Sequence, residues 1–177
     1  MEINQKYPEP MLKIIYIERL TEMLASEKKY SLCFEKLSGA AFTDELHTGL
    51  SPASFDQQLH VQRLIHCLDL QKVKKAGKIT ALDQYFLEYG KRVIKGKVPS
   101  LQKDLILLHA AQQIFMQKIQ GYTSLHQMAI ALGAEQSALL LEQCFKDEQN
   151  AYNYLVQISQ NIIYPNSAIE SADKTNR

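Results

Sequence analysis

Residues 108–133 read LHAAQQIFMQKIQGYTSLHQMAIALG. Leu108, Ala111, Phe115 and Ile119 recur at helical spacing, and Gly133 is a natural stop. Pro99-Ser100 introduces the run, so a helix is expected over about 100–120, with Leu101 also on its inner side. Gly121 lets the chain bend or continue, and Thr123 can cap a further segment to Leu132. A helix this long needs partners of similar length, and the flanking sequence supplies them.

Upstream, a helix is expected from Pro10 to about Ser38, with Gly39 as its stop. Its stripe is Tyr16, Leu20, Met23, Glu27, Tyr30, Phe34 and Leu37, spaced alternately four and three. Downstream, Glu135 to Ile163 reads as the last helix, ended by Pro165, with Leu141, Cys144, Glu148, Ala151, Leu155, Ile158 and Ile162 on one face. One acid, Glu27 or Glu148, interrupts each of these apolar stripes. Between lie a helical turn at Asp44–Leu50 and a second helix from Ser51-Pro52 to about Lys75, whose apolar side is Phe55, Val61, Leu64, Ile65 and Leu68. A short helix follows at about 79–95, with Leu82, Phe86, Tyr89 and Val93 on one face.

Four long helices, with a connection from about Lys75 to Ser100 long enough to travel the bundle, predict an all-α, ferritin-like four-helix bundle with one crossover. Residues 1–164 form this single domain, and the polar tail 165–177 is expected to be disordered.

Composition narrows the function. The chain has 177 residues, 46% hydrophobic and 22% charged, with a net charge of +1. These values suit one globular core and give no global attraction to nucleic acid or anionic membrane. The lysine runs at 72–78 and 91–97 read as solvated faces. No apolar stretch approaches the roughly 20 residues that span a bilayer, and the first residues do not resemble a signal peptide. Cys33, Cys67 and Cys144 are far apart and read as buried thiols of a reducing compartment, so the cytoplasm is expected. No nucleophile, zinc-protease or phosphate-loop motif occurs. His60 and His66 are six apart, a poor chelating pair, and His47, His109 and His126 stand alone.

AAQQIFMQKIQGYTSLHQMAIALG (110–133), SALLLEQCFKDEQNAYNYL (137–155) and ASEKKYSLCFEKL (25–37) resemble the YciF/YciE-like proteins, ferritin-like bacterial proteins associated with stress responses. The resemblance implies a di-metal carboxylate site with ligands on facing helices. Glu27 matches the acid of the first helix and Glu148 an acid of the fourth, with Asp147 beside it. The family's third-helix run EHYE becomes Phe115, Met116, Gln117 and Lys118. The second-helix histidine falls at Ala53, with Gln57 nearby, and Tyr152 replaces a fourth-helix Asp.

Two glutamates cannot hold two divalent ions tightly. No catalytic residue, cofactor or bound metal is therefore expected, and Glu27 and Glu148 are residual ligand positions. Phe115 is expected to fill the metals' volume with hydrocarbon. Without a metal, each glutamate needs a hydrogen bond or a cation, which Tyr30, Tyr152 or Lys118 could supply. The expected role is structural or protein-binding, as a homodimer with a protein partner the sequence does not identify. The alternative is a reduced carboxylate site for iron or another divalent metal.

Overall fold

The joints of the structure fall where the backbone is constrained. The computed structural model describes residues 10–74, 76–95 and 98–175. Seven α-helices run through them: α1 (Met11–Ala40), α2 (Asp44–Leu50), α3 (Gln57–Leu70), α4 (Ala81–Ile94), α5 (Leu101–Ala131), α6 (Glu135–Ile158) and α7 (Tyr164–Thr175). No strand occurs among the described residues, and no helix there is long and apolar enough to cross a membrane.

Helices α1, α3, α6 and α5 form the bundle in that circular order, so α1 and α6 face each other across a diagonal. One apolar cluster joins the start of α1 (Tyr16, Leu20), the end of α3 (Leu64, Leu68), the end of α5 (Leu125, Ala129) and the start of α6 (Leu141). Hence α3 and α5 run parallel, as a long crossover requires. The second cluster, at the opposite end, holds Phe34, Leu37, Ile114, Phe115 and Leu155, with Leu46 and Leu50 of α2 in place of α3.

Buried polar groups fasten the irregular parts. Thr80 caps α4 by accepting from the Asp83 N–H. The Asp83 carboxylate accepts from the hydroxyls of Ser26, Tyr30 and Thr80, each at 2.8 Å, and so ties the crossover to α1. At the other end of α4, the Lys103 ammonium donates to the Ile94 carbonyl at 2.7 Å, a cation on a helix C-terminus. Asp104 accepts from the backbone N–H groups of Phe42 (2.7 Å) and Thr43 (2.9 Å), which holds the α1–α2 turn. Gly77 brings the crossover backbone onto α1; a Cβ there would lie 2.1 Å from the Thr21 carbonyl oxygen.

Several expected boundaries and faces differ. The second helix starts at Gln57, because Pro52–Phe55 is a 3₁₀ turn and Asp56 is left-handed (φ 51°). It ends at Leu70, with residues 71–74 non-helical, short of the expected end near Lys75, a residue that itself lies outside the described ones. Its inner face carries Gln57, His60, Leu64, Cys67 and Leu68, whereas Ile65 is exposed. On α4 the buried residues are Asp83, Leu87 and Gly90, and Leu82 points outward. Both helices are turned from their apolar stripes by polar side chains that find buried partners. α5 passes straight through Gly121. Beyond α6, a π-turn at Ser159–Ile163 shifts the phase, so Ile163 is buried with Ile158. Pro165 does not end the chain's helix. It sits where the ladder returns from π to α, and α7 continues to Thr175 along the segment expected to be disordered.

Candidate functional site

Where the two apolar clusters meet, every bundle helix sends a polar side chain inward. α1 contributes Glu27, α3 Gln57 and His60, α5 Lys118 and Tyr122, and α6 Glu148; all six are buried. Each sits on the same stripe as core residues one turn away, which is why helices that fold through their apolar neighbours carry these groups inside.

Lys118 is the hub. Its ammonium lies 2.6 Å from Glu148 Oε1 and 3.3 Å from Glu27 Oε2. Glu27 Oε1 accepts from the Tyr122 hydroxyl at 2.7 Å, and its Oε2 from Gln57 Nε2 at 2.8 Å. His60 Nδ1 is 2.9 Å from Glu148 Oε1, and Nε2 is 3.3 Å from Asp147 Oδ2. Arg63 pairs with Asp147 at 2.5 Å where the network reaches the surface. Both His60 nitrogens thus face carboxylate oxygens, one of Glu148 and one of Asp147.

The titration shifts agree with this geometry. Burial pulls the Lys118 ammonium down, but Glu148 and Glu27 more than reverse it, so its pKa stands above the ordinary value. Burial, then the Glu27 charge, pushes the Tyr122 hydroxyl well up. Burial pushes the neighbouring Cys144 thiol up to about 12.

Glu27, His60 and Glu148 each offer one ligand atom within 4.8 Å of the others, a grouping that could hold a metal ion. With Lys118 in place the residues do not fit one. An ion bound by both carboxylates would have to share the space of an ammonium 2.6 Å from one of them and 3.3 Å from the other, against like-charge repulsion.

Glu27 and Glu148, matched by resemblance, are therefore brought to one centre. Two expectations fail. That centre is not filled with hydrocarbon. Phe115 packs on Phe34 with ring centroids 4.7 Å apart, and the Lys118 ammonium lies 5.7 Å from each ring, so the rings wall the cation rather than replace it. The second helix also keeps a nitrogen, from His60 rather than from Ala53, which is exposed in the 3₁₀ turn. The signal was present: His60, Leu64 and Cys67 share one helical face with Gln57. Tyr30 donates to Asp83 instead of Glu27, and Tyr122 takes that role. Tyr152 lies against the second apolar cluster. His47 and His126 face the backbone carbonyls of Ser38 and Ala138, and His66 and His109 face glutamines.

The family model described as "Domain of unknown function (DUF892)" matches residues 11–168. Among solved structures, the E. coli stress protein YciF is similar with a TM-score of 0.79 at 20% identity, covering 85% of this chain and 96% of that one. YcfI from Rhodopseudomonas palustris is similar with a TM-score of 0.75 at 18% identity, covering 82% and 93% respectively. At these identities the likeness establishes the fold. No curated protein matches the sequence.

Proposed function

From the premise that this chain belongs to the DUF892 family of domains of unknown function, we propose that it is a non-catalytic bundle in which a lysine takes the place of a bound metal. Its role is structural or protein-binding, as a homodimer in the cytoplasm. The setting is a stress response of the kind for which the similar E. coli protein is named. The observation that supports this reading is Lys118, within ion-pair distance of both Glu27 and Glu148. A tethered ammonium offsets the charge of the two acids and needs no supply of metal. It offers neither a Lewis acid nor an open coordination position.

A second reading, a reduced metal site, is favoured by the Glu27, His60 and Glu148 grouping. It requires Lys118 to leave or to lose its proton. Elemental analysis of the purified protein followed by anaerobic ferrous titration separates the two. The expected result is no stoichiometric metal; one or more ions held tightly per chain would replace the first reading with the second. Light scattering tests the dimer, and a monomeric mass at micromolar concentration would remove it.

A further inference from the structure

A cavity of about 290 Å³ opens between α1 and α4, on the outer side of α1 from the ion network. Its apolar wall comes from Leu32 and Cys33 of α1 and from Ile79, Leu87 and Ile94 of the crossover. Leu32 is 60% exposed, so this surface continues out to solvent. Gly90 sets the depth. A Cβ there would come 2.7 Å from the Cys33 sulfur, so α4 lies close on α1 at the floor and the groove opens to either side.

The rim is charged with one sign in excess. Lys29, Lys36 and Lys91 border the groove against a single acid, Glu88, which Lys91 already holds at 2.6 Å. Lys29 and Lys36 have no ion pair among the described residues. Burial pushes the Cys33 thiol up to about 11, and the Lys36 and Lys91 charges act on it in the opposite direction. These ammonium groups are thus felt at the groove's floor. The whole chain carries a net charge of only +1, so the rim excess is local.

An apolar slot with a cationic edge complements a molecule with a hydrocarbon tail and a negative head. The volume sits at the lower end of small-molecule sites, roughly 300 Å³ upward, and an amphipathic peptide helix needs a longer groove. The geometry points to a site for a single medium-chain fatty acid, its tail along Leu87 and Ile94 and its carboxylate between Lys29 and Lys36. This site is independent of the metal question, so it stands or falls separately from the proposed function.

Calorimetric titration of the full chain with decanoate, below its micelle concentration, tests it. One saturable site per chain is expected. Across hexanoate, octanoate and decanoate, affinity should rise about fourfold per methylene, and decylamine should bind at least tenfold more weakly than decanoate. Lys29→Glu with Lys36→Glu alters only exposed side chains, so it should keep the unfolding temperature and lower decanoate affinity at least tenfold. Leu32→Asp should also weaken binding. As an independent readout, decanoate should slow modification of Cys33 by a thiol reagent and leave the fully buried Cys67 and Cys144 unaffected. The proposal is overturned by absent or non-saturable binding, by decylamine matching decanoate, or by affinity that survives the double lysine reversal.

Discussion

Lys118 turns two buried acids into part of a closed charge system, and its removal should expose their cost. Lys118→Met leaves Glu27 and Glu148 without their ammonium. Breaking a buried pair in this way costs about 3–5 kcal/mol, to be read from urea midpoints. The variant also clears the space between Glu27, His60 and Glu148, so zinc or ferrous ion should raise its unfolding temperature while leaving the parent's unchanged. Failure of any divalent ion to do so would mean that the three ligand atoms are too constrained to close around one. Alkaline pH probes the same residues. The folded-state pKa values of Lys118 and Tyr122 lie above their ordinary 10.5 and 10.0. Folding therefore favours the protonated forms. This contribution is intact below pH 10 and is lost as pH rises past the ordinary values towards the folded ones. Urea midpoints should fall steeply above about pH 10, and less steeply in Lys118→Met.

At the scale of the element, the crossover is held by apolar packing of Leu87, Phe86, Val93 and Ile94 and by a polar clamp at Asp83. Asp83 accepts three hydroxyl hydrogen bonds, two of them from α1. Asp83→Ala should cost about 3 kcal/mol, because it leaves Ser26 and Tyr30 without their acceptor in a buried setting. The loss should be local as well as global, with faster amide exchange over residues 81–94 than in α5 or α6. Gly77→Ala should cost about 1–3 kcal/mol, since the added methyl meets a backbone oxygen that cannot swing aside. These same elements are where periodicity misleads. On α3 the apolar Ile65 faces solvent while Gln57 and His60 are buried; on α4 Leu82 is outside and Asp83 inside. A stripe of apolar residues marks the inner face only when the core it meets is apolar. Here part of that core is a polar layer and part is a clamp.

For the whole molecule, the arrangement is two apolar clusters with an ion network between them. At that waist Lys118 lies within ion-pair distance of both acids, so on the proposed reading EDTA should leave the unfolding temperature unchanged. A drop of several degrees would point to a bound metal. Bundle, crossover and the two stripe-breaking acids were legible from spacing and punctuation alone. Helical period and glycine or proline breaks are properties of neighbouring residues, and Glu27 and Glu148 stand out wherever an apolar face is written. Which face of α3 turns inward, that Tyr122 donates to Glu27, and that one lysine lies between two acids were decided only in three dimensions. Gln57 and Glu27 are 30 residues apart and Tyr122 and Glu27 are 95 apart. The energy of a buried charge depends on distances of a few ångströms across such separations, which no local pattern encodes.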